Sequence, residues 1–150
     1  EKEVLMNLAI FDLMYLKRDL AHLKATDIEP LLADLEQYEA KAAQIKVPDV
    51  HCAMFTIKGA MYRALNQGEK ANESFDKALT YAKDVKHERQ WPASAAYERG
   101  ELEYFAGNLT KAEHFFKLAD TFGKYGFEEV LRSRIKLALR RVHTELKHKQ

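Results

Sequence analysis

Apolar side chains recur at intervals of three and four residues along most of this chain, a pattern typical of helices that bury one face. One such stripe consists of Leu31, Leu35, Tyr38, Ala42 and Ile45. No glycine precedes Gly59, and strict alternation of apolar and polar residues is absent. The sequence therefore predicts an all-α protein.

Prolines, glycines and capping residues divide this pattern into seven predicted helices in a single domain. Pro30 is placed near the start of the second helix, and Pro48 separates the second helix from the third. The carboxylate of Asp49 is placed to cap the third helix. The predicted helices cover approximately residues 2–23, 27–45, 50–65, 69–87, 92–105, 109–122 and 127–147.

Two helix pairs, at about 50–87 and 92–122, carry the same residue types at the same intervals. Gly59 and Gly100 are each followed by alanine, phenylalanine and alanine after 12, 16 and 19 residues. Those positions are Ala71, Phe75 and Ala78, then Ala112, Phe116 and Ala119. Small residues let two antiparallel helices approach closely, so each pair is expected to form a tight hairpin.

This order of small, small, aromatic and small residues resembles the tetratricopeptide (TPR) repeat, in which antiparallel helix hairpins stack into a right-handed superhelix. The units depart from that repeat at Lys58 and Arg99, where it favours large apolar residues. They are also 41 residues apart, against about 34 in the repeat. The extra residues lie around Trp91, so packing between the units is expected to be irregular.

A longer resemblance runs from "NLAIFDLMYLKRDLAHL" to "KYGFEEVLRSRIKLAL" at 124–139. These segments are similar to the C-terminal part of the tetratricopeptide repeat protein 39 family, which includes the fungal inclusion-body-clearance proteins. The resemblance implies a longer helical-repeat protein without known catalysis, acting in the cytoplasm, at lipid droplets or at the mitochondrial outer membrane. A chain that opens directly on an apolar helix is expected to be a fragment of such a protein.

Composition and motifs indicate a non-catalytic protein without a cofactor. The net charge of +1 gives no indication of nucleic-acid binding. The single cysteine, Cys52, cannot form an internal disulfide. The six histidines lack the spacing of a metal site. Since neither a phosphate-binding loop nor a nucleophile elbow is present, we expect no catalytic residue and no metal.

The first helices of stacked hairpins line a concave groove, which in repeat proteins binds a peptide or helix of a partner protein. The candidate partner-binding residues are Thr56, Arg63, Tyr97, Glu101 and Tyr104. For the two tyrosines, the alternative is that they only seal contacts between helices. Two units are fewer than the three or so that a stable array needs. The flanking helices or a second copy of the chain would therefore cover the ends.

A second hypothesis concerns the basic end of the chain. Residues 121–150 contain eight Lys or Arg against three acids, a net charge of +5. Arg132, Lys136 and Arg140 on the last helix are candidates for contact with a membrane or lipid-droplet surface. The contact would be peripheral, because the most apolar run, 4–16, is shorter than the roughly 20 residues of a membrane span. The alternative is an ordinary solvated helix face.

Overall fold

A computed structural model describes Phe11, Tyr15, Leu20 and residues 22–126 and 128–149. Over these residues all regular structure is helical, which confirms the all-α class. The predicted first helix, 2–23, lies almost entirely outside them. The six helices that follow are α1 (Ala25–Ala42), α2 (Pro48–Ala64), α3 (Gly68–Thr80), α4 (Gln90–Phe105), α5 (Leu109–Thr121) and α6 (Glu128–His148).

Two helix pairs, α2 with α3 and α4 with α5, make the most extensive contacts. Connections of three residues join the helices of each pair, so the partners run antiparallel. Asn66 and Gly107 turn these connections in the left-handed backbone region, with φ of 57° and 83°. Helices α2, α4 and α6 lie side by side, since α4 contacts both of the others. Helix α1 packs on α2, α3 on α4 and α5 on α6.

In each hairpin the glycine leaves room for an aromatic ring of the partner helix. A Cβ atom on Gly59 would lie 2.6 Å from the ring of Phe75, and one on Gly100 would lie 2.7 Å from the ring of Phe116. Both rings are fully buried. The sequence prediction placed an alanine opposite each glycine, whereas the atoms nearest to the missing side chain belong to the aromatic ring. The alanines of the pattern are also fully buried: Ala71, Ala78, Ala112 and Ala119.

Lys58 and Arg99 stand beside these glycines and pair with the preceding helix. Lys58 Nζ lies 2.6 Å from Glu39 Oε2 on α1, and Arg99 Nε lies 2.9 Å from Asp76 Oδ1 on α3. Their aliphatic stems can cover apolar surface while the charged ends are paired. Ion pairs thus link α1 to α2 and α3 to α4 at the positions where the repeat that the sequence resembles favours large apolar residues.

The connection between the hairpins differs from the sequence prediction. Helix α3 ends at Thr80, seven residues before the predicted end at 87, and turns follow it. Trp91 in the first turn of α4 is fully buried, and its Nε1 donates to Oε2 of Glu88 in the preceding loop at 2.8 Å. The extra residues of the longer repeat therefore form a structured joint around a core tryptophan.

Asp49 stabilises this joint instead of capping α2. Helix α2 begins at Pro48, and the Asp49 carboxylate accepts hydrogen bonds from the backbone N–H groups of Lys86, His87 and Glu88 at 3.3, 2.9 and 2.8 Å. Burial raises the pKa of Asp49, but these donors outweigh it and hold the pKa below its ordinary value. The capping prediction is wrong, because the carboxylate serves amide groups that lie far away in sequence.

Replacing Gly59 by alanine is expected to lower the free energy of unfolding by up to about 2 kcal/mol. Overlap of the new methyl group with the buried Phe75 ring costs about 1–3 kcal/mol, and the higher helix propensity of alanine returns about 1 kcal/mol. Urea unfolding followed by circular dichroism measures the change. Gly68→Ala is the control, since a Cβ there meets nothing within 4 Å. Equal stability of the two variants would contradict the close contact.

Candidate functional site

Charged and tyrosine side chains meet where α2, α4 and α6 lie side by side. We call this group the inter-helix charge cluster. Its members are Arg63 on α2, Glu98, Glu101 and Tyr104 on α4, and Arg141 and Glu145 on α6.

Glu101 lies between two arginines in this cluster. Its Oε1 accepts a hydrogen bond from Arg141 Nη2 at 2.7 Å, and its Oε2 lies 3.7 Å from Arg63 Nη2. Arg63 also donates to Glu98. The two glutamate side chains are only 12% exposed. Burial lowers the pKa of Arg63, but the carboxylates outweigh it and raise the pKa above its ordinary value, so the guanidinium stays charged.

Arg141 connects the cluster to an exposed aromatic ring. Its guanidinium carbon lies 3.9 Å from the centre of the Tyr104 ring and 5.9 Å from that of Phe105. The Tyr104 hydroxyl donates to Glu145, and this bond raises the pKa of Tyr104. Phe105 is 67% exposed. An exposed aromatic ring beside an arginine is the kind of group that supplies most of the binding energy at protein interfaces.

The structure brings together three of the predicted groove residues, Arg63, Glu101 and Tyr104, in the inter-helix charge cluster. Tyr97, on the same helix, also lies near Arg63, whose pKa its charge helps to raise. Its ring centre is 5.7 Å from that of Phe116. Thr56 does not line a groove, because it is fully buried and its hydroxyl donates to the Cys52 carbonyl oxygen at 2.7 Å. That assignment is wrong.

Sequence reasoning missed four residues of this region, although the repeat interval carried a signal for them. Glu145 follows its partner Tyr104 by 41 residues, and Arg141 follows Glu101 by 40. Extending the 41-residue interval from Tyr104 into α6 identifies Glu145, whereas the partner of Glu101 lies one residue before the equivalent position. Glu98 and Phe105 carry no such signal, because their contacts and exposure depend on how the helices are arranged.

The candidate residues for an anionic surface lie on the outer face of α6. Arg132, Lys136 and Arg140 are all exposed, and Arg132 donates to Glu128. Two aliphatic side chains lie among them, since Val130 is 55% exposed and Leu137 is 64% exposed. This face of α6 combines positive charge with exposed apolar surface.

Replacing Glu101 by glutamine is expected to lower the free energy of unfolding by about 1–3 kcal/mol, because Arg63 and Arg141 lose their shared carboxylate in a partly buried place. Adding Arg141→Met should recover part of the loss by removing one unpaired charge. Urea unfolding measures each variant. The control Glu129→Gln, which is exposed and outside the cluster, should change stability by less than about 0.5 kcal/mol. A Glu101→Gln effect no larger than this control would contradict the predicted coupling.

Within the part of the chain that the structure describes, no three or more His, Cys, Asp and Glu side chains are grouped to hold a metal ion. None of the described helices has the length and apolar character needed to cross a bilayer. No protein family, curated protein or solved structure matches the chain.

Proposed function

We propose that this chain is a non-catalytic scaffold that binds other proteins and is built as a TPR-like array of stacked helix hairpins. Two tight hairpins with the same glycine–phenylalanine contact support this proposal, as does the side-by-side placement of α2, α4 and α6. In such arrays the corresponding helices line one continuous binding face. The resemblance to the tetratricopeptide repeat protein 39 family favours the same function, in the cytoplasm, at lipid droplets or at the mitochondrial outer membrane.

The proposed binding surface centres on Phe105, and its exposure is the observation that carries the proposal. The ring is 67% exposed and lies beside Arg141, whose guanidinium is held by Glu101 and the Tyr104 ring. Leu137, one helical turn before Arg141, adds a second exposed apolar group. Side chains held in place by their neighbours lose little conformational entropy on binding. The surface therefore suits a peptide or helix with an apolar face.

The buried part of the cluster has a supporting role in this proposal. Arg63, Glu98 and Glu101 use their charged groups on one another and are largely covered. The pairs of Arg63 with the two glutamates join α2 to α4. The pair of Glu101 with Arg141 joins α4 to α6, so these contacts set the relative positions of three helices. We therefore assign partner contact to the rim, at Phe105 and Arg141, and assign positioning to the covered residues.

Phe105→Ala is expected to weaken capture of a partner protein by about tenfold or more, because it removes the central exposed ring. Affinity capture from cell lysate, with quantitative mass spectrometry, compares the immobilised wild-type chain with this variant. Val47→Ala is the matched control, since Val47 is 40% exposed and precedes α2, away from the cluster. Partners retained by Val47→Ala and lost by Phe105→Ala support the surface, provided that both variants unfold at the wild-type temperature. Equal capture by wild type and Phe105→Ala would reject it.

A second candidate function is peripheral attachment to an anionic membrane or lipid-droplet surface through α6. The observation that favours it is the pair of exposed side chains, Val130 and Leu137, beside the cations of Lys136 and Arg140. Amphipathic helices of this kind lie in the headgroup region, with apolar groups inserted and basic groups next to anionic lipids.

Liposomes containing phosphatidylserine are expected to carry the wild-type chain upward in a flotation gradient at low salt and to release it at high salt. The double variant Lys136→Glu/Arg140→Glu should reduce the floated fraction by about tenfold or more, because two attractive charges become repulsive. Lys83→Glu/Lys86→Glu, an equal charge change at exposed residues of the joint, is the control. A floated fraction that changes neither with salt concentration nor in the α6 double variant would reject this candidate function.

A further inference from the structure

An open cleft of about 270 Å³ lies between α1 and α3, over one face of α2. Lys58 and two aromatic side chains, Phe55 and Tyr62, line it from α2, and Ser74 lies on the α3 side. This face of α2 differs from the face that carries Arg63. The cleft is thus a separate surface from the one around Phe105.

The second hairpin shows what occupies the corresponding place when it is filled. Phe115 follows Ser74 by 41 residues, and Arg99 follows Lys58 by the same interval. The Arg99 guanidinium carbon lies 4.8 Å from the centre of the Phe115 ring. In the first hairpin a serine stands where this phenylalanine would be. The ring of Tyr62 lies on one side of Lys58, with its centre 6.0 Å from Nζ. The side that Phe115 covers in the second hairpin therefore carries only a serine in the first.

The cleft also offers positive charge at the α3 side. Lys70 Nζ lies 5.6 Å from the centre of the Tyr62 ring, and Lys77 Nζ lies 4.5 Å from that of Phe55. Within the described residues neither of these ammonium groups is in ion-pair distance of a carboxylate, although Glu73 is part of the lining. Lys58, by contrast, is paired with Glu39. Two ammonium groups beside ring faces attract a ligand that is both aromatic and anionic.

We propose that this cleft binds an aromatic side chain of a partner peptide, with acidic residues on either side of it contacting Lys70 and Lys77. The incoming ring takes the place beside Lys58 that Phe115 takes beside Arg99. The ligand class is therefore a peptide segment in which Phe or Tyr is flanked by Asp or Glu. This inference goes beyond the proposed function, because it assigns a second binding site with its own ligand chemistry.

The test uses a synthetic peptide with one phenylalanine between glutamates, blocked at both ends, added to the isotope-labelled chain. NMR titration should show saturable shifts of backbone amides around Lys58 and Ser74. Replacing the phenylalanine of the peptide by alanine should weaken binding by about tenfold or more, since the ring supplies most of the apolar contact. Exchanging its glutamates for glutamines, or raising the salt concentration, should also weaken binding.

Ser74→Phe is the decisive variant, because its own phenylalanine ring would fill the cleft, as the equivalent residue Phe115 does beside Arg99 in the second hairpin. It should lower peptide affinity by about tenfold or more while leaving the chain folded and at least as stable in urea. Ser74→Ala, which leaves the cleft open, is its control and should keep wild-type affinity within about twofold. The exposed pair Lys70→Gln/Lys77→Gln should weaken binding by about threefold to tenfold without affecting the fold.

Phe105→Ala separates this site from the surface of the proposed function and should bind the peptide as the wild type does. Absence of saturable shifts around the cleft would overturn the inference. So would undiminished binding by Ser74→Phe, or by the lysine double variant if Ser74→Phe does not fold. Shifts confined to the region of Phe105 and Arg141 would also overturn it.

Discussion

A phenylalanine ring lying against a glycine holds each hairpin of this protein together. The missing side chain at Gly59 leaves room for the Phe75 ring, and the same contact recurs between Gly100 and Phe116. Because the rings are fully buried, each supplies a large apolar area to the hairpin in which it lies. Tight hairpins bring α2, α4 and α6 close enough for their side chains to meet. The surface around Phe105 and Arg141 therefore depends on this contact.

Charged residues link the hairpins laterally. Lys58 and Arg99 pair with carboxylates of the preceding helices, and Glu101 joins Arg63 to Arg141 across three helices. Apolar contacts are non-directional, whereas a partly buried carboxylate between two guanidinium groups is satisfied in only a narrow range of positions. These ion pairs therefore favour one lateral arrangement of helices over others with similar apolar burial.

The two hairpins share a framework but differ in what they leave uncovered. At one position the second hairpin has Phe115 beside Arg99, and the first has only Ser74 beside Lys58. A repeat can tolerate this difference because the position lies beside the buried Phe75 or Phe116 ring and not within the glycine contact itself. The two hairpins therefore differ in whether an aromatic side chain stands at this position.

The sequence by itself determined the helical class and the two helix pairs, and it marked Gly59 and Gly100 as positions where each pair lacks room for a side chain. These features depend on residues within about one repeat, where helical spacing specifies which side chains share a face. The helical spacing did not predict that α3 ends at Thr80, because the residues that follow it pack as a joint around Trp91.

Only the tertiary structure decided which neighbour covers each face. It buried Thr56, directed Asp49 to amides 37–39 residues away and left Phe105 exposed beside Arg141. Helical periodicity is a local property that indicates an apolar or polar side of a helix. The burial of a particular side chain depends on helices from other parts of the chain, and their positions follow from the sum of many weak contacts.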